Sequence, residues 1–232
     1  MTARVLLVGL AIAAVMASAG CVTTVSGTAV RTANTVPTDV PRLDDSAADT
    51  VLLPIDEINA IMGTTNLEIT SDIADMTDSS DKVSDPDCLG AMFGAEEPVY
   101  AGSGWTAVRD VVAREPAQDN DHWVEQTAVI YPAADDATGF LAKSKSIWQQ
   151  CAGSSLAVDT ENTSSLWRFD DVSTGDGLIT QMARQEDADG WGCQHALAAA
   201  SNMTAETWVC AYSVGDEAVT MAIDILNNAA RK

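Results

Sequence analysis

The stretch GCQHALAAASNMTAETWVCAYS, residues 192–213, decides the fold. Two runs of strand-like residues flank Ser201-Asn202, which reads as a two-residue hairpin turn. Asn tolerates the positive φ such a turn requires. Cys193 and Cys210 are equidistant from that pair, so an antiparallel hairpin sets them directly opposite one another. Opposed residues in a non-hydrogen-bonded pair lie ~4.5 Å apart at Cα, within disulfide reach. The same register puts His195 across from Trp208 and Leu197 across from Glu206. Ala196, Ala198, Ala205 and Val209 then share the other face.

Outward from the hairpin, Asp216 to Ala229 reads as a closing helix with Ala218, Met221, Ala222, Ile225 and Leu226 turned inward. Upstream, Leu166 to Phe169 and Leu178 to Ala183 are strand-like and flank the turn signal Ser173 to Gly177. Leu156 to Asp159 is a further short strand. The clearest helix runs from Ala134 to Cys151, with Phe140, Ser144, Ile147, Trp148 and Cys151 on one side and Gly153 as its stop. Trp105 to Arg114 and Trp123 to Tyr131 are strand-like around a polar turn with Pro116 and Asn120. Cys88 to Phe93 reads as one or two helical turns, and Leu67 to Thr70 as a short strand. Pro54 opens a helix through Ile55, Ile58, Ile61 and Met62 that Gly63 stops. Helices at both ends of a run of hairpins imply one α+β domain with an antiparallel sheet.

The chain has five cysteines. With Cys193 and Cys210 paired by register, Cys88 and Cys151 remain as a second pair once Cys21 is set aside. Free buried thiols or metal ligands are the alternative. No Cys-x-x-Cys spacing favours them, and an oxidising compartment disfavours free thiols.

That compartment follows from the first residues. Arg4 precedes an apolar run from Val5 to Ala17, followed by small residues up to Cys21, a secretory signal layout. As a helix, Val5 to Gly20 would reach roughly 24 Å, short of a ~30 Å hydrocarbon core. Ala17-Ser18-Ala19 fits ordinary signal cleavage before Gly20. Ser18-Ala19-Gly20-Cys21 instead resembles a bacterial lipobox, although Ser18 stands where Leu is usual. The even count of four remaining cysteines favours a lipidated Cys21, whose diacyl anchor would hold stably to a membrane. The expected organisation is a signal peptide over 1–20, the lipidated Cys and a flexible Thr/Ser/Ala-rich tether over 21–50, and a folded domain over 51–232. A formal net charge of −22, from 12 basic and 34 acidic residues, opposes nucleic-acid binding and any flat polybasic lipid-binding face.

Taken in order, these features resemble the PknH-like extracellular sensor domain family. They are the lipobox-like start, the tether, Leu52-Leu53-Pro54 opening a helix stopped by Gly63, Cys88, Ile147-Trp148-Gln149-Gln150-Cys151, and the Cys193 to Cys210 hairpin. The resemblance spans about Val51 to Ala230. Members occur in mycobacterial and related actinobacterial lipoproteins and as the outer domain of a receptor Ser/Thr kinase. The resemblance implies a curved antiparallel sheet flanked by helices, two disulfides, and a cleft that takes an unidentified ligand. With no kinase segment and no spanning helix, the chain looks like the free lipoprotein form on the extracytoplasmic face of the cell membrane. The family supplies no motif for ligand residues.

Catalytic signatures are missing from the sequence: there is no G-x-S-x-G, H-E-x-x-H, Walker loop or G-x-G-x-x-G. Only His122 and His195 could serve as a base. His122 reads as solvated in a polar turn, and His195 as a packed histidine opposite Trp208. The Asp-rich stretch from Asp72 to Asp87 reads as a solvated loop. Asp171 to Ile179 departs from a calcium loop at Gly175 and Asp176. No cofactor or metal is expected. Six Trp against three Phe and three Tyr is the remaining signal. Trp148 and Trp167 fit core positions. Trp105, Trp123, Trp191 and Trp208, with His195, are candidates to line a cleft for an apolar or sugar-like ligand. The expected function is therefore a membrane-anchored ligand-binding or sensor module without catalysis. The partners are an unidentified small-molecule or envelope ligand, the membrane through the lipid anchor, and no nucleic acid. The alternatives are an accessory that binds an envelope protein, and an envelope hydrolase with an unfamiliar site.

Overall fold

Alternation with period two and helix stops at glycine build the elements from Leu43 onward. The computed structural model describes residues 35–116, 121–160 and 163–232. The signal peptide, Cys21, the first part of the tether and Asn120 lie outside these residues. In chain order the elements are α1 (Ala48–Val51), α2 (Ile55–Met62), β1 (Glu68–Ile73), α3 (Leu89–Met92), α4 (Glu97–Tyr100), β2 (Ala107–Arg114) and β3 (His122–Ile130). They continue with α5 (Ala134–Cys151), β4 (Ser155–Asp159), β5 (Ser164–Phe169), β6 (Ser173–Gly175), β7 (Leu178–Gln185), β8 (Gly192–Ala200), β9 (Met203–Ala211) and α6 (Glu217–Ala229).

The strands form one open nine-stranded sheet in the order β1-β2-β3-β9-β8-β7-β5-β4, with β6 paired to β7. Each ladder is antiparallel. α6 packs on one face through Ala218, Met221, Ala222, Ile225 and Leu226. α5 packs on the other through Phe140, Trp148 and Cys151, with Ser144 also buried. Two acidic residues, Asp135 and Asp136, sit in the first turn of α5, where the helix dipole favours them. The Asp136 carboxylate also accepts the Ala133 backbone N–H at 3.1 Å. The helix stops are as expected: Gly63 and Gly153 adopt positive φ of 69° and 74°.

The expected tether to Thr50 ends earlier than the sequence reading placed it. Leu43, Ala47, Ala48 and Val51 repeat at helical spacing and are buried against the α6 side of the sheet. A 3₁₀ turn, Asp45–Ala47, leads into α1. Two buried amides hold this segment. Asn202 accepts the Leu43 N–H at 2.8 Å and donates to the Leu43 carbonyl at 3.0 Å and the Tyr131 carbonyl at 2.7 Å. Gln126 accepts the Leu53 N–H and donates to its carbonyl, both at 2.8 Å. These bonds satisfy backbone groups that burial would otherwise strand. A related clamp joins Gln194 to the first turn of α6, whose Ala218 N–H it accepts at 3.0 Å.

The hairpin register is the expected one, with Cys193↔Cys210, His195↔Trp208 and Leu197↔Glu206. In its turn the left-handed residue is Ser201, φ 51°, while Asn202 serves as the clamp. Both disulfides join the expected partners. Cys193–Cys210 spans 3.9 Å at Cα and closes a separation of 17, and Cys88–Cys151 spans 5.8 Å and closes 63. In the chain-entropy model the longer loop stabilises more, by roughly 1.5RT ln(63/17), about 1 kcal/mol. Replacing Cys88 and Cys151 together by Ser should therefore lower the denaturant midpoint further than replacing Cys193 and Cys210 together. Equal midpoints with equal slopes would contradict this.

Candidate functional site

On the face toward α5, strand pairing aligns side chains into rows. The outermost row is Arg114, Trp123, Cys210, Cys193 and Ala183. The next is Val112, Glu125, Trp208, His195 and Gln181. The third is Asp110, Thr127, Glu206, Leu197 and Ile179. The outer row, with Trp208 behind it, floors a cleft of about 330 Å³. Met92 and Phe93 at the end of α3 form one wall, and Val158, Trp167 and Trp191 contribute to the others. The volume falls at the lower end of the range for small-molecule sites.

Of the expected cleft residues, Trp123, Trp191 and Trp208 are brought together here. Trp105 is not: it precedes β2, half-buried against the same apolar cluster but outside the cleft. His195 is not either. It is 0% exposed and sealed beneath the floor. Its ring lies 4.6 Å from that of Trp208, edge to face, and 4.1 Å from Trp148. Trp167, expected only as core, is buried yet also forms a wall. Sequence reading also missed Arg114, Met92 and Phe93. Arg114 is a register partner of Trp123, so the hairpin logic extended by one strand would have found it.

Beneath the floor the structure places a buried polar network. His195 Nε2 donates to Glu206 Oε1 at 2.8 Å, the carboxylate oxygen being able only to accept. Glu206 Oε2 accepts the Tyr100 hydroxyl at 2.6 Å and the Ala95 N–H at 3.3 Å. Burial, followed by the Glu206 charge, pushes the Tyr100 phenol well up. Asp110 accepts the Thr127 hydroxyl at 2.6 Å, and burial pushes its carboxyl up to about 6. Burial first, and then Asp110, pushes the Glu125 carboxyl up as well. Glu96 accepts the Ser79 N–H at 2.7 Å and is likewise raised by burial. The other histidine, His122, begins β3 half-buried, with Nδ1 2.6 Å from Glu115 Oε1, rather than lying solvated in a turn. Asp72 of the acidic stretch pairs with Arg109 at 2.6 Å. Among the described residues no group of three His, Cys, Asp or Glu side chains is placed to hold a metal ion.

The Asp110 shift has a definite sign. A folded-state value of about 6 above the ordinary 3.8 means the folded chain holds its proton longer than the unfolded chain. Its contribution is full below about pH 4 and is lost as pH rises through about 6, amounting to as much as about 3 kcal/mol. Chemical denaturation should therefore show higher stability at pH 5 than at pH 7. Asp110→Asn should raise stability at pH 7 and reduce that difference, the part due to Glu125 remaining, whereas an unchanged pH profile in the variant would contradict the assignment.

Comparison with known proteins agrees with this architecture. The model of the PknH-like extracellular domain family matches residues 43–232, which include the segment from Leu43 that packs on the sheet. The serine/threonine-protein kinase PknH of Mycobacterium bovis is 36% identical over 177 residues, covering 76% of this chain and 30% of the kinase. The Mycobacterium tuberculosis kinase of the same name is also 36% identical over 177 residues, covering 28% of its length. The chain thus spans less than a third of these relatives. The crystal structure of the extracellular domain of PknH from Mycobacterium tuberculosis superposes with a TM-score of 0.80 at 33% identity, covering 83% of this chain and 100% of that one. With the same sheet and a family match over its whole folded part, this chain belongs to the PknH-like extracellular domain family.

Proposed function

We propose that the chain is a membrane-anchored sensor module that binds a small envelope or extracellular molecule in its tryptophan-lined cleft and performs no catalysis. The observation that carries this reading is the cleft itself. Its floor is a disulfide and two indoles held by sheet register, so the fold itself fixes the apolar lining. The chemistry around it supports binding over turnover. His195 is sealed below Trp208, and His122 is engaged by Glu115, so neither presents a free base to the cleft. Relatives carry this domain as the extracellular part of a kinase, which is in keeping with a sensing role. Among the described residues no helix is long and apolar enough to cross a membrane, and attachment here rests on a diacyl group at Cys21. The net charge of −22 argues against a nucleic-acid partner.

Native mass spectrometry of protein purified from the envelope should detect a co-purified small molecule. Trp191→Ala, at a half-buried wall position, should lower its occupancy by at least about tenfold. Uniformly ligand-free protein, together with no response of tryptophan fluorescence to apolar probes, would contradict the reading.

Anchoring is tested separately. Cys21→Ala should move the protein from the membrane to the soluble fraction. Retention of an unprocessed variant in the membrane would show that Val5 to Gly20 spans it instead.

A further inference from the structure

The cleft's lining has a charge pattern that narrows the ligand's chemistry, given that the cleft is a binding site as proposed above. Among the described residues that line it Arg114 is the one with a charge, at the exposed end of the outer row beside Trp123. Among the described residues no aspartate or glutamate lines it, although the chain has 34 acidic residues against 12 basic ones. Arg114 forms no ion pair among the described residues, not even with Glu68, its partner across the β1–β2 ladder. A guanidinium left free at the mouth of an apolar groove offers a planar fork of donors to a carboxylate or phosphate.

The interior sets the ligand's orientation. Behind the outer row the buried ionisable groups include the acids Glu125, Glu206 and Asp110 and, among the described residues, no lysine or arginine, so an anion pushed inward would lose water and meet no such partner. Trp123, Trp191 and Trp208 offer only apolar faces and indole N–H edges to the occupant. We propose that the cleft takes a small amphiphile with a single anionic group, its apolar body against these indoles and its anion at the rim on Arg114.

The compact unit Ala33–Lys232 contains the whole sheet and both apolar clusters, so it serves alone for the test. Calorimetric titration with decanoate and with its neutral counterpart decanamide separates apolar binding from charge recognition. Decanoate should bind roughly tenfold more tightly, and in Arg114→Gln the ratio of the two affinities should fall to about one. Equal affinities in the unaltered protein, or a preference that survives in Arg114→Gln, would overturn the charge assignment. Failure of both compounds to bind would instead overturn the ligand-binding reading on which it rests.

Discussion

The register of the β8–β9 hairpin is the constraint on which the rest of the site depends. Setting Cys193 against Cys210 also sets His195 against Trp208 and Leu197 against Glu206. Pairing of β9 with β3 and of β3 with β2 carries the same rows outward to Trp123 and Arg114. A slip of one residue between these two strands would turn one of them over, parting Trp208 and Glu206 from His195 onto opposite faces. The disulfide closes the one pair that excludes such a slip, and it sits in the cleft floor. Local chain chemistry, fold and site therefore share a single geometric condition.

The wall opposite the floor is pinned at both ends of a short segment. Cys88, just before α3, is bonded to Cys151 at the end of α5. Ala95, just after Phe93, donates its N–H to Glu206. Met92 and Phe93 lie between these two fixed points, so the wall is held to both the helix and the sheet. Gly94 lies in the same segment against Glu125, where an added Cβ would come 3.0 Å from a carboxylate oxygen. The buried acids thus have a structural cost and a structural use. Burial raises Asp110 and Glu125 against ionisation, while Glu206 ties Tyr100, Ala95 and His195 into one network.

Much of this was legible in the sequence because it rests on local period and symmetry. The bounds of α5, the helix stops at Gly63 and Gly153, the hairpin register and the Cys193–Cys210 bridge follow from spacing, and Cys88–Cys151 follows as the pair left over once Cys21 is set aside. What spacing cannot show is which parts of a face the helices cover. His195 and Trp208 are register partners, yet one is sealed under α5 and the other forms the cleft floor. Trp105 lies outside the ladders, so no register argument could place it. Gln126, Gln194 and Asn202 look like ordinary strand and turn polar residues, and their clamping role exists only once distant segments arrive. The packed segment from Leu43 was readable in its helical spacing, but its Thr/Ser/Asp-rich setting masked the stripe.

Sheet register sets Trp123 and Trp208 on one floor, and Trp167 on β5 and Trp191 just before β8 come to the same cleft, while Trp105 and Trp148 stay out of it. Indole ¹H–¹⁵N resonances of the six tryptophans report on this directly when an apolar ligand such as decanoate is added. Concerted shifts of the four cleft indoles are expected, with Trp105 and Trp148 nearly unmoved. Shifts centred on Trp105, or spread evenly over all six, would contradict this arrangement.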